Sequence, residues 1–337
     1  MTSGWTNRIN HFFAPVFRIF VCCALPVLFG VVSAQDQEKA PAPAQSIRVN
    51  VERVNVGVIV TDAHGRFVEG LKREAFHVFD NRVEQPITDF ASIEEPGQVL
   101  LLLEVGPAVY LLQDTHLYAA DALLAGLSPG DRVAIARYSD VPVAMLDFTT
   151  DKRAAQSVLD YLQFNLGFGQ LNLSSSLKTV LDWLARVPGK KTIVLLSTGV
   201  DSSPDDTILA LLQVGDVRVL CISLSGSLRS GKQSGKHKVQ QTTQIFDEAD
   251  ARLRAIAEAT GGRAYFPESA TAFQDTYRQI AELVRYEYSL AFEPPARDGA
   301  VHIITVKVDS PNAPGNGKTP EYRVDHRKAY EAPKEPM

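Results

Sequence analysis

Glu104 closes the apolar run Val99-Leu100-Leu101-Leu102-Leu103 and is followed at once by Val105, a Gly106-Pro107 break and Ala108. Five apolar residues between Gly97 and Gly106 read as a strand buried on both faces, and in open α/β sheets ligands gather beyond the carboxyl ends of such strands. A single carboxylate there suggests binding of a cation or a polar ligand. Two later segments also carry clusters of oxygen-bearing residues. One is Leu171-Asn172-Leu173-Ser174-Ser175-Ser176; the other is Ser197-Thr198-Gly199-Val200-Asp201, after the apolar run Ile193 to Leu196. The serine triplet reads as the N-cap of a helix, a role that suits a hydroxyl better than nucleophilic attack without a nearby base.

Other chemistry-bearing residues assemble less. His64, His77, His116, His237, His302 and His326 show no metal-ligand spacing, and no Cys pairs with them. No Gly-x-Ser-x-Gly elbow occurs. Gly226-Ser227-Leu228-Arg229-Ser230-Gly231-Lys232 fits the first seven positions of a phosphate-binding loop, but Gln233 stands where Ser or Thr would bind magnesium, and no helix is expected to open there. A solvated basic loop running on through Lys236-His237-Lys238 accounts for it better. Gly167-Phe168-Gly169 lacks the third glycine of a dinucleotide fingerprint. Cys221, between Leu220 and Ile222, reads as a buried small hydrophobe, and Trp183 and Leu184 read as core positions of an amphipathic helix.

The elements that position these residues follow from patterning. The chain has 337 residues, 45% hydrophobic and 22% charged, enough for a large core. Residues 1–34 have the layout of a secretory signal peptide: Arg8 and Arg18, no acid, an apolar run from Ile19 to Val32 interrupted by Pro26, and Val32-Ser33-Ala34 at the cleavage position. An uncleaved anchor needs about 20 apolar residues, more than this run supplies, and neither Cys22 nor Cys23 stands in a lipidation context. Cleavage leaves Cys221 as the one cysteine, so an intrachain disulfide is excluded. It also takes away two positive charges, moving the net charge from −5 to −7. An acidic surface argues against nucleic acid as partner.

Residues 35–45, with Ala-Pro repeats, form a disordered linker. From 46 to 96, alternation at Ile47, Val49, Val51 and at Val54, Val56, Val58, Val60, then Phe76–Phe79 and Pro86–Ile93, gives a small antiparallel β unit. Residues 97–285 alternate strand and helix, which requires crossover connections and a mostly parallel sheet covered on both faces. Helices are expected over 112–127, 152–163, 174–186, 207–213, 249–260 and 271–284. Residues 286–330 return to strands at 286–292, 302–308 and 322–324. Each flank alone exposes an apolar face, so the two are expected to pair as one β-sandwich.

Three segments, Val99–Glu104, Gly169–Leu177 and Ile193–Asp201, resemble in order and spacing the three top-loop motifs of a von Willebrand factor A domain. The flanks resemble the acidobacterial-type subfamily of such proteins, through Val60-Thr61-Asp62-Ala63-His64-Gly65-Arg66-Phe67-Val68-Glu69-Gly70-Leu71 ahead and Tyr288-Ser289-Leu290 with Arg327-Lys328-Ala329-Tyr330 behind. The resemblance implies a Rossmann-like six-stranded sheet with helices on both sides. It also implies a divalent-metal adhesion site built from Asp-x-Ser-x-Ser, a Thr and a further Asp, since a hard cation wants charged and neutral oxygens around an octahedron. This chain departs at each position. Asp-x-Ser-x-Ser becomes Glu104-Val105-Gly106-Pro107-Ala108, the Thr becomes Leu171, and the Asp of Ser-Asp-Gly becomes Thr198.

The expectation is therefore no metal and no cofactor. Glu104, Gly106, Ala108, Leu171, Thr198 and Asp201 are expected to rim a degenerate adhesion site that serves as a binding face for a protein partner. The chain is read as an exported, periplasmic, cell-envelope or secreted binding module without catalytic activity and without a membrane span once the leader is cleaved. A scaffold protein with an inert top face is the alternative. A metal-dependent adhesion module, or a hydrolase using Glu104 with Asp201, ranks below both because no nucleophile, base and orienting group can be assembled.

Overall fold

A computed structural model of the chain describes residues 53–106, 113–162, 170–226, 236–310 and 322–335. The leader, the linker, the alternating stretch 46–52, Pro107, Ala108, Gly167–Gly169 and most of the loop after Gly226 lie outside the described residues.

The centre is a six-stranded sheet. Its strands are β5 (Gln98–Glu104), β6 (Arg132–Tyr138), β7 (Pro142–Thr149), β8 (Lys191–Ser197), β9 (Val217–Ser223) and β10 (Ala264–Tyr265). They run in the order β10-β9-β8-β5-β6-β7, all parallel except β7, which returns antiparallel along β6. β5 is thus flanked on both edges by parallel neighbours, and its apolar run is buried on both faces, as the sequence predicts. Its odd-numbered side chains, Val99, Leu101 and Leu103, pack under helices α1 (Gln113–Gly126), α2 (Lys152–Asp160) and α6 (Ala270–Leu283). Leu100 and Leu102 pack on the other face under α3 (Leu173–Leu184), α4 (Thr207–Val214) and α5 (Lys236–Ala259). Period-two alternation delivers successive side chains to opposite layers.

The flanks combine as expected. β1 (Val54–Thr61) pairs antiparallel with β11 (Tyr286–Phe292), and β2 (Phe76–Asp80) with β12 (Val301–Val308), so chain from before the central sheet interleaves with chain from after it. With β3 (Val83–Gln85), β4 (Asp89–Glu94), β13 (Arg323–His326) and β14 (Ala329–Glu331) they make two four-stranded sheets, β13-β1-β11-β4 and β14-β12-β2-β3. Between them lies one apolar core holding Val56, Val58, Val60, Val78, Tyr288, Leu290, Phe292 and Ile304.

Three expectations need correction. α5 starts at Lys236, thirteen residues before the predicted helix, so Lys236-His237-Lys238 belong to its first turn and not to a loop. The stretch 236–248 is polar and lacks an apolar stripe, yet its Lys, Gln and Glu are sound helix formers. The helix ends at Gly261 (φ +68°) with Gly262 N–H bonding Ala257 O at 2.8 Å and Gly261 N–H bonding Glu258 O at 3.2 Å, the paired bonds of a Schellman cap. Trp183 is not core. It is 37% exposed, while its neighbour Leu184 is buried, because consecutive helical residues point about 100° apart. The N-cap of α3 is Asn172, and the serines stand inside the helix.

Candidate functional site

Parallel pairing sets Glu104 opposite Tyr138 at the ends of β5 and β6, and β8 brings Ser197 and then Thr198 to the same level. The four side chains meet. Glu104 Oε2 accepts from Thr198 N–H at 2.7 Å, from the hydroxyls of Ser197 and Thr198 at 3.0 Å each, and faces the Tyr138 hydroxyl at 3.2 Å. Its Oε1 accepts from Thr198 Oγ1 at 3.0 Å. Tyr138 also donates to Ser197 Oγ at 2.7 Å, and Ser197 Oγ accepts the Gly199 N–H at 2.8 Å.

The cluster is enclosed. Glu104 and Thr198, expected on an open rim, are each 1% exposed, and Tyr138 and Ser197 are inaccessible. Burial raises the Glu104 carboxyl above its ordinary range despite the bonds from Thr198, Ser197 and Tyr138 that oppose it. Burial, and then the Glu104 charge, also pushes the Tyr138 phenol well up. The carboxyl therefore holds its proton more readily than a free glutamate.

Gly106 lies beneath Leu171. A Cβ at Gly106 would come within 2.8 Å of Leu171 Cδ2 and 3.6 Å of Glu104 Oε1, so the leucine fills the space a serine side chain would enter. Leu171 is half-buried and fixed through its backbone, its N–H on Ser202 Oγ at 3.0 Å and its carbonyl on Ser202 N–H at 2.6 Å. Asp201 works as a cap from outside the helix it serves. Its Oδ2 accepts from Ser174 N–H at 2.9 Å and Ser174 Oγ at 2.6 Å, satisfying an N-terminal donor of α3, while Oδ1 accepts from Ser203 N–H at 3.2 Å. Asn172 N–H on Ser139 O at 2.8 Å, with its side chain on Asp140, ties in the β6 loop. Of the expected site residues, Glu104, Gly106, Leu171 and Thr198 come together and Asp201 braces their loops; Ala108 lies outside the described residues.

Tyr138 and Ser197 enter the cluster without having been singled out. The available signal was positional: a polar residue ending each of two apolar strands next to β5. A second enclosed group stands one strand further on, where Ser223 and Ser225 hydroxyls donate to Asp250 Oδ1 at 2.9 and 2.7 Å. Among the described residues no group of three or more His, Cys, Asp or Glu is placed to hold a metal ion.

No protein-family model and no curated protein matches the chain. Solved structures do. A von Willebrand factor type A protein from Catenulispora acidiphila is 11% identical, covering 86% of this chain and 76% of its own, with a TM-score of 0.44. The ArnB paralog VWA2 from Sulfolobus acidocaldarius is 15% identical, covering 82% of this chain and 76% of its own, with a TM-score of 0.40. An aerotolerance-related membrane protein from Bacteroides fragilis is 13% identical, covering 56% of this chain and 99% of its own, with a TM-score of 0.42. These likenesses are of chain path, and at such values nothing about ligand or partner transfers from them.

Proposed function

We propose that the chain is an exported, non-catalytic binding module whose top face, at the carboxyl ends of the central strands, contacts a protein partner without a metal ion. The observation that carries this reading is the state of Glu104. Both its oxygens already accept protein donors, its charge is disfavoured by burial, and Leu171 occupies the place over Gly106. A hard divalent cation needs about six oxygen ligands with net negative charge. Gly106 and Leu171 offer none, and the hydroxyl oxygens of Ser197 and Thr198 already accept hydrogen bonds, Ser197 Oγ from Tyr138 and Gly199 N–H and Thr198 Oγ1 from Val200 N–H. The adhesion site implied by the family resemblance is therefore read as degenerate: internal hydrogen bonds take over the bracing of the top loops that a metal would otherwise provide.

Among the described residues, this face offers the half-buried Leu171 with exposed Asp140, Ser202, Ser203, Asp205 and Asp206 around it. That surface suits a partner presenting an apolar contact ringed by lysine or arginine. Export rests on the leader pattern of residues 1–34, and absence of catalysis on the enclosure of the hydroxyl and carboxylate groups described above. No helix among the described residues is long and apolar enough to cross a membrane.

The test is capture from envelope extract with the mature chain and with Leu171→Asp, each with and without chelator. Partners retained by the wild type through chelation and lost from Leu171→Asp support the reading. Retention that ignores the substitution removes the top face from it, and loss on chelation alone restores a metal.

A further inference from the structure

At the opposite, amino end of the parallel strands a cleft of about 280 Å³ opens between the central sheet and the β1–β11 pair. Its charged lining is Lys190 and Lys191 at the start of β8, Asp216 and Arg218 at the start of β9, Glu287 on β11, and Arg327 after β13. Four cations thus face two carboxylates.

The existing pairs do not use up the donors. Glu287 lies 3.2 Å from Arg218 Nη2 and 3.0 Å from Lys190 Nζ, serving two cations with one charge. Asp216, itself largely in solvent, is engaged by Lys191 Nζ at 3.2 Å, and Lys191 also donates to Val187 O at 3.1 Å. Arg218 Nη2 has a further contact with Gly57 O at 3.5 Å, and Arg327 Nη2 donates to Asn55 O at 2.7 Å. Left over are Arg218 Nε and Nη1 and Arg327 Nε, buried and without a hydrogen-bond partner, while Lys190 Nζ has only the Glu287 carboxylate that it shares with Arg218. The Arg218 side chain is only 9% exposed. Burying a guanidinium with two of its N–H edges unpaired is costly, and proteins do so where something is meant to pair with it. The crowding registers on Lys190, whose ammonium is pulled down to about 8 by burial and by the Arg218 charge.

We propose that this cleft binds a phosphate group, held by Arg218, Arg327 and Lys190. The excess of two positive charges matches a phosphate monoester, which carries roughly −1.5 to −2 near neutral pH. Donors arrive from three side chains, and the three terminal oxygens of a phosphate monoester offer more acceptor sites than the two of a carboxylate to a guanidinium fork and a lysine point charge together. Lys190, whose side chain is 22% exposed against 9% for Arg218, is the more open of the two, and its flexible stem can move at the mouth. The same phosphate chemistry is available from a free small monoester or from a lipid whose headgroup is itself a phosphate monoester.

The test is calorimetric titration of the mature chain, in chloride buffer at fixed ionic strength, with inorganic phosphate, with glycerol phosphate, and with phosphatidic acid vesicles against phosphatidylcholine ones. One-to-one binding of a free phosphate, weakened about tenfold or more in Lys190→Gln and in Arg327→Gln and strengthened in Glu287→Gln, is the expected result. Circular dichroism confirms that each variant folds, and Lys190→Gln, at the cleft mouth, decides if the others do not. Binding confined to phosphatidic acid vesicles and lost in Lys190→Gln assigns the phosphate to a lipid headgroup. Absence of binding to all three probes, or equal affinities in wild type and Lys190→Gln, overturns the proposal.

Discussion

Replacing Glu104 separates a structural carboxyl from a charged ligand. In Glu104→Ala the Thr198 N–H, now 2.7 Å from Oε2, loses its acceptor inside the protein. The hydroxyls of Tyr138, Ser197 and Thr198 can turn toward one another, as Tyr138 and Ser197 already do at 2.7 Å. One orphaned buried donor costs about 1–3 kcal/mol and the one lost methylene about 0.8 kcal/mol, so the alanine variant should lose about 2 to 4 kcal/mol. Glu104→Gln keeps an acceptor for Thr198 N–H, and its amide can donate to Thr198 Oγ1, which Oε1 faces at 3.0 Å. It should stay within about 1 kcal/mol of wild type near pH 5. The pH dependence has a definite sign. Because burial raises the folded-state carboxyl above 4.5, its contribution is complete below that value and is lost as pH rises through the higher folded one. Gln has no such loss, so its standing relative to wild type should improve toward about pH 8. Urea unfolding of the three proteins at both pH values measures this. A Gln variant as unstable as Ala at the higher pH would show that the cluster needs a full negative charge, and the metal-free reading of the top face would fall with it.

Other outcomes follow from single contacts. Gly106→Ser, with Leu171 in place, should bind no magnesium by calorimetry and should lose about 1–2 kcal/mol, since its Cβ meets Leu171 Cδ2 at 2.8 Å. Gly262→Ala should cost about 3 kcal/mol or more in urea unfolding, because a Cβ there would sit 1.9 Å from the Val219 carbonyl oxygen, a backbone atom that cannot step aside; a loss under about 1 kcal/mol would refute the close approach of α5 to β9. Two histidines of the sandwich should titrate apart by NMR. Burial pulls His302 down, but Asp80 and Asp298 raise it above 6.5 on balance, so its stabilisation is full below 6.5 and fades as pH rises through the folded value. Burial, aided by Lys328, pushes His326 down to about 4, so its contribution is full above 6.5 and is lost as pH falls toward 4. A His326 ring titrating at or above 6.5 would contradict its place between Val306 N–H, which bonds Nε2 at 3.2 Å, and Arg327 O, 2.7 Å from Nδ1.

The sequence by itself determined the architecture. An unbroken apolar run at Val99–Leu103 leaves no polar side for solvent, and repeated strand–helix alternation leaves only crossover connections, so a central parallel strand under two helical layers follows. Two flanks with one apolar face each must cover one another. The sequence also put Glu104 at the strand end, with Gly106 and Leu171 offering no side-chain oxygen to go with it. Where periodicity was weak it misled, as at the polar first half of α5, or could not choose between neighbours, as at Trp183 and Leu184.

Only the tertiary structure decided what Glu104 does. Its partners lie 34, 93 and 94 residues away in the chain and are selected by strand register, which sets Tyr138 beside it from β6 and Ser197 and Thr198 from β8. A residue type carries no record of register. The same limit hid the basic cleft, where Lys190, Arg218 and Arg327 are ordinary surface-type residues in sequence and become a charge cluster only when β11 lays Glu287 across the amino end of the sheet. Burial, which raises the pKa of a carboxyl and leaves a guanidinium short of partners, is a property of the surroundings and not of the residue.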